Sequence, residues 1–206
     1  MPRLKMNTFE LIRDKVESTA LMLFVRHGYA ATTTREIASA AGYTAGALYA
    51  HYPSKEALFA AVVARYRKRI SDDPGLRDAL RNSDFPYDIK ELARAISKLV
   101  RENRAYWKLW YIDVLEFGGK HFKSQLAPKA VITDPLLRAR LDRLRDRREL
   151  TMDPDLAFVM VYMHLFNYFL LETIFGGRAH YGVPENQAVE AISAVFMRGL
   201  LARSAS

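Results

Sequence analysis

Residues 32–53 read TTTREIASAAGYTAGALYAHYP, and the way this stretch breaks decides the fold of the N-terminal third. Thr33 with Glu36 three residues on is a capping box, in which a hydroxyl and a carboxylate each satisfy a backbone N–H that the first turn of a helix leaves over. A short helix is therefore expected from there to about Ala41. Gly42 breaks it, because glycine takes positive φ without steric cost. Thr44 caps a second short helix, Ala45 to about Tyr52, which stops at Pro53 because the residue before proline is driven out of the α region. Ile37, Ala41 and Leu48 can close a small core, and Ala38 is small where two helices must cross. Two short helices across a glycine-containing turn, following a longer one, have the form of a helix-turn-helix. That layout projects the second helix into a major groove with its N-terminal residues against base edges.

Working outward, Asn7 and Glu10 form a similar box at the head of a helix whose apolar stripe is Ile12, Val16, Ala20, Leu23 and Phe24, ended by Gly28. Ser54 caps a fourth helix with the stripe Leu58, Val62, Tyr66 and Ile70. The run SDDPG at 71–75 and the stretch to Pro86 carry turn residues and acids, so a boundary between domains 1–70 and 71–206 is expected there. Further helices are expected at about 87–102, 104–117, 135–149, 154–175 and 185–203. No run alternates with period two over a strand's length. The fold class is all-α, an N-terminal three-helix domain followed by a helical C-terminal domain.

Composition narrows the function. The chain has 206 residues, 50% of them hydrophobic, enough for a packed core without metal or disulfide staples. It has no cysteine, which excludes a disulfide framework, a thiolate zinc site and a cysteine nucleophile. His27, His51, His121, His164 and His180 fall in no metal-ligand spacing, and neither GxSxG nor a phosphate-cradling glycine loop occurs. No enzyme activity, metal or cofactor is expected. The net charge of +8 points to an anionic partner, and its distribution is informative. Residues 1–70 hold eleven Lys and Arg against five Asp and Glu, whereas residues 71–206 hold twenty against eighteen. The opening MPRLKMNTFELIRDK lacks an export signal's apolar core, so a cytoplasmic location is expected. Leu156 to Phe175 has the length of a membrane span, but His164, Asn167 and Glu172 interrupt it; a buried helix, with no membrane partner, is the reading.

From Leu21 to Val62 the chain reads LMLFVRHGYAATTTREIASAAGYTAGALYAHYPSKEALFAAV. This resembles the signature of TetR-family regulators: a first helix ending LF..HGY, then T..EIA..AG, then GALY..(F/Y)..KE.L. The resemblance implies a homodimer that binds a near-palindromic double-stranded DNA operator. Within it, Thr33, Thr34 and Arg35 would meet phosphate at the start of the second helix. Thr44, Ala45 and Gly46 would begin the recognition helix near the bases. Tyr49 and His51 would reach phosphate or a base edge, Lys55 would meet phosphate, and Leu48 and Tyr52 would be core. Many relatives carry Lys or Arg where this chain has Ala45, whose methyl could still meet a thymine methyl. Arg3 and Lys5 form either a DNA-contacting arm or an unordered basic terminus. The run Arg65, Arg67, Lys68 and Arg69 reads as a solvated helix face.

The resemblance also implies a C-terminal domain that binds a small molecule and dimerises, its last two long helices forming a four-helix bundle with their copies. The aromatic cluster Tyr106, Trp107, Trp110, Tyr111 and Phe117 either lines a ligand cavity or fills a core, with Asn103, Asp113 and Glu116 as polar companions. Met160, His164 and Asn167 on the apolar helix either face a pocket or are core. The function so implied is a transcription repressor released from its operator by a small-molecule ligand. The alternatives are a constitutive or architectural DNA-binding protein without a ligand and, less favoured, a small helical enzyme.

Overall fold

A computed structural model describes residues 8–82, 84–123, 132, 134–175 and 182–201. Among them run ten α-helices: α1 (Thr8–His27), α2 (Thr34–Ala41), α3 (Ala45–His51), α4 (Lys55–Ser71), α5 (Pro74–Asn82), α6 (Lys90–Glu102), α7 (Arg104–Phe117), α8 (Pro135–Asp146), α9 (Pro154–Ile174) and α10 (Glu185–Leu200). Arg3, Lys5 and the Asn7 cap lie outside the described residues.

The chain forms two compact units, residues 1–71 with 105–124 and residues 72–104 with 125–206. The first holds α1 to α4, and its centre is built from Val16, Ala20 and Phe24 of α1, Ile37 and Ala41 of α2, Leu48 of α3, and Leu58, Phe59 and Val62 of α4, all buried. Burying each of the larger of these side chains contributes about 1.5–3 kcal/mol. Phe24 and Phe59 meet edge to face at 5.5 Å.

From Ala105 onward α7 belongs to this first unit, although its position in the sequence groups it with the second domain. The reason is ring packing. Tyr106 stacks on Tyr66 at 6.0 Å, and Phe117 packs on Tyr29 at 4.7 Å and on Phe59 at 5.1 Å.

The second unit contains α5, α6 and α8 to α10. Helix α5 stands where the sequence suggests only turns. Asp73 Oδ1 accepts from Leu76 N at 2.8 Å and Pro74 opens the helix, so Asp-Pro here starts a helix rather than marking a break. The same device opens α8 from Asp134-Pro135 and α9 from Asp153-Pro154, each aspartate accepting from two backbone N–H groups. Helix α9 is long and apolar enough to cross a membrane, but its Ala157, Phe158, Val161, Leu165 and Phe169 are buried within the unit, where α9 packs on α6, α8 and α10.

Candidate nucleic-acid interface

The two short helices are capped as their sequence requires. Thr33 Oγ1 accepts from Glu36 N at 3.2 Å and Thr33 N donates to Glu36 Oε2 at 2.8 Å. The Thr33 N–H, and then the Thr33 hydroxyl donating to Glu36 Oε2 at 2.9 Å, hold the Glu36 carboxyl below the ordinary carboxylate range. Gly42 takes φ +79° and ends α2 with its N–H on Ser39 O, while Tyr43 N donates to Ala38 O. Thr44 Oγ1 then accepts from Ala47 N at 3.2 Å to start α3. The tight turn brings α3 against the start of α2, as a direct bond from its second turn records: the Thr34 and Tyr49 hydroxyls are 3.0 Å apart.

On α3, Leu48 is buried, while Gly46, Ala47, Tyr49 and Ala50 are exposed. The outward face is small apart from Tyr49, which is 50% exposed. It offers methyl groups, a phenol, the Thr44 hydroxyl and the N-terminal backbone to a partner, and a duplex can approach closely at Gly46. Ala47 and Ala50 escaped the sequence reading; their i and i+3 relation on the side away from Leu48 is the signal that would have found them. Arg35 is exposed at the first turn of α2. His51 is half-buried, its ring 6.4 Å from that of Tyr52.

Lys55 corrects an expectation. Its ammonium faces inward, donating to Tyr29 O at 2.8 Å, Thr32 O at 2.9 Å and Ala30 O at 3.4 Å, and it lies 4.2 Å from the centre of the Tyr29 ring. All three protons of the group are thereby occupied by the α1–α2 loop. Thr32 completes this anchor by donating its hydroxyl to Gly28 O at 2.7 Å. In this arrangement Lys55 positions the loop that carries Thr33 and Thr34.

A second anchor was hidden from the sequence. Glu17 of α1 is buried and accepts from the Tyr52 hydroxyl at 2.7 Å, from Arg13 at 3.3 Å and from Arg65 at 3.4 Å. Burial, then the bond to Glu17, pushes the Tyr52 phenol up to about 12. Arg65 also pairs with Asp14 at 2.7 Å, so it braces α4 on α1 and is not part of a merely solvated face. The end of α3 is thus held by both an apolar contact and a polar network.

The residues considered for a ligand are divided between the units. Of those in the first, Trp107 packs on Tyr106 at 5.0 Å, Trp110 stacks on Phe122 at 6.3 Å and Phe117 packs on Tyr29, Phe59 and His121, while Tyr111 is exposed. Asp113, fully buried, accepts from the backbone N–H groups of His121 and Phe122 at 3.1 Å each and lies 2.6 Å from His121 Nδ1, so it ties down the turn after α7. In the second unit, Asn103 donates to Leu99 O at 2.8 Å at the end of α6. Met160, His164 and Asn167 are exposed on α9, with His164 against Phe196 at 5.4 Å. A groove of about 360 Å3 in this unit is lined by Arg94, Ser97, Lys98, Arg101, Glu102 and Glu185, none of them among the expected residues.

Comparison with known proteins agrees with this geometry. Residues 18–62 match the family described as bacterial regulatory proteins, tetR family. The HTH-type transcriptional regulator YerO of Bacillus subtilis is 43% identical over 54 residues, 26% of this chain but only 19% of that protein. The HTH-type transcriptional repressor AcnR of Corynebacterium efficiens is 25% identical over 158 residues, covering 73% of this chain and 75% of the repressor. The crystal structure of a TetR-family transcriptional regulator from Mesorhizobium loti superposes with a TM-score of 0.69 at 19% identity, covering 95% of this chain and 100% of the other. Its likeness is one of fold. Residues 18–62 thus match the helix-turn-helix region of the tetR family, and the fold of the described residues is like that of solved TetR-family regulators.

Proposed function

We propose that the chain is a cytoplasmic, homodimeric DNA-binding transcription regulator that represses from a near-palindromic operator and is released by a small-molecule ligand, with no enzyme activity of its own. The observation that carries this is the outward presentation of the α2 and α3 N-termini, with Thr33, Thr34, Arg35, Thr44, Gly46 and Tyr49 exposed or half-exposed together. In this reading Thr33, Thr34 and Arg35 hold phosphate, while Thr44, Ala45, Gly46 and Tyr49 face the bases, with His51 at their margin. The name of AcnR as a repressor supports the sign of regulation.

Residues 1–70 carry DNA binding in this proposal, and residues 71–206 carry ligand binding and dimerisation. Dimerisation is supported by apolar side chains left exposed on α9 and α10: Leu156 at 54%, Met160 at 45%, Met163 at 40% and Val195 at 69%. Two copies then set their α3 helices in successive major grooves roughly 34 Å apart. A ligand that favours another spacing weakens DNA binding by its differential affinity for the two states. A constitutive regulator without a ligand is the second reading, favoured by the packing of Trp107 and Phe117 into core contacts.

The test is footprinting on the DNA flanking the gene, with the mass in solution measured by light scattering. Protection of two half-sites by a particle of twice 23.6 kDa is expected. Protection of no sequence above random DNA would remove the regulator reading.

A further inference from the structure

From Ile37 to Ser54, a stretch that contains the whole of α3, the sequence holds no Arg, Lys, Asn, Gln, Asp or Glu. Those are the side chains that tell base pairs apart in the major groove by their hydrogen bonds: arginine or lysine at guanine, asparagine or glutamine at adenine, an acid at cytosine. Glu36, just before this stretch, spends its carboxylate on the Thr33 cap. Arg35 of α2 is then the single forked donor between Thr32 and Ser54, and α3 itself has none.

Ala47 and Ala50 are exposed three positions apart, so their methyls share one side of α3, with Gly46 exposed beside them and Ala45 half-buried. The Thr44 hydroxyl accepts from Ala47 N, the Tyr49 hydroxyl lies 3.0 Å from that of Thr34, and His51 is half-buried beside the Tyr52 ring. A hydroxyl both donates and accepts, so it separates the four bases poorly. A methyl separates them in one respect: thymine alone carries a C5-methyl in the major groove, and an apolar side chain gains by covering it. We infer that α3 reads thymine methyl groups through Ala47 and Ala50, so that the operator half-sites hold A·T pairs where α3 enters the groove. The inference deepens the DNA-binding reading of this face and rests on it. Short side chains suit such contacts, because they let the helix lie against the base edges.

The test starts by selecting the duplex that the full wild-type chain prefers from a random-sequence library. Each thymine of that duplex is then replaced, one at a time, by deoxyuridine, which removes the C5-methyl and keeps the hydrogen-bonding edge of the base. At the thymines that α3 covers, the replacement should weaken binding about fourfold, the factor that corresponds to one buried methyl-sized group. In Ala47→Gly and Ala50→Gly the ratio of thymidine to deoxyuridine affinity should fall toward one, each variant at its own thymine. The cost of a glycine to α3 weighs on both duplexes alike and cancels in that ratio. Selected half-sites without thymine, equal binding of the thymidine and deoxyuridine duplexes, or a ratio unchanged in both glycine variants overturns the inference and leaves the regulator reading in place. Selection of no sequence above random DNA sinks the regulator reading, and this inference with it.

Discussion

Two cations near the candidate interface differ in what their charge faces. Lys55 spends its ammonium on the carbonyls of Tyr29, Ala30 and Thr32, whereas Arg35 is exposed at the head of α2. Lys55→Met should therefore destabilise the first unit by about 1.5–3 kcal/mol, the range for hydrogen bonds from a charged group. Its salt dependence of DNA binding should stay near the wild type's. Arg35→Ala should do the reverse, leaving the melting temperature in place and reducing the slope of log K against log salt by about 0.9, the contribution of one phosphate. A titration of binding against salt beside a melting curve distinguishes the two, and a flattened slope for Lys55→Met would show that its ammonium leaves the loop for phosphate.

Tyr52 allows a test by pH. Because burial and the bond to Glu17 raise its phenol from 10.0 to about 12, the folded protein keeps this proton where the unfolded chain loses it. The contribution is complete below pH 10 and disappears as pH rises through about 12. Tyr52→Phe should cost about 1–3 kcal/mol at neutral pH, since Glu17 stays buried with one donor fewer. Its stability should also fall less steeply than the wild type's over that alkaline window, as followed by denaturant unfolding at a series of pH values.

At the scale of elements, the sequence was most legible where a local rule had one outcome. The Thr33–Glu36 box, the Gly42 turn and the Thr44 cap are decided by residues within three positions of one another, so no tertiary information was needed. Helix α5 was missed because aspartate and proline serve both turns and helix starts, and its body, LRDALRN, has too few apolar residues to announce a helix. The buried Glu17 and the inward Lys55 were illegible for another reason. Their partners lie 35 and 26 residues away, and nothing local separates them from solvated charges. The place of α7 was hidden in the same way, since rings at helical spacing state that a face is buried and not against which neighbour.

Gly46 tests whether α3 is an interface as well as a helix. A Cβ there would meet only Thr44 Oγ1, at 3.9 Å, so Gly46→Ala fits the fold and should stabilise α3 by up to about 1 kcal/mol through helix propensity. If a duplex approaches the backbone at this position, the added methyl should weaken operator binding about tenfold or more while the melting temperature holds or rises. Electrophoretic mobility shift against the footprinted operator reads the first effect and calorimetry the second. Equal weakening of affinity and stability would assign Gly46 to the fold alone.

For the whole molecule, the decisive property is whether two copies join through α9 and α10. Helix α9 is apolar nearly all round, yet one side of it, with Leu156, Met160 and Met163, is exposed in the single chain. Val195 on α10 is exposed further, at 69%. Leaving this surface in water forfeits burial that a second copy would supply at about 25 cal/mol per Å2 of apolar area. Met160→Asp and Val195→Asp should each place a charge without a partner at such a contact, a cost of several kcal/mol counted once from each subunit. Light scattering should then report about 23.6 kDa in place of twice that mass. Each monomer should keep its helical circular dichroism and lose affinity for the two-site operator far more than for a single half-site, because the second recognition helix is no longer tethered to the first. Wild-type protein that already elutes as a monomer, or variants that remain dimeric, would move the partner surface away from α9 and α10.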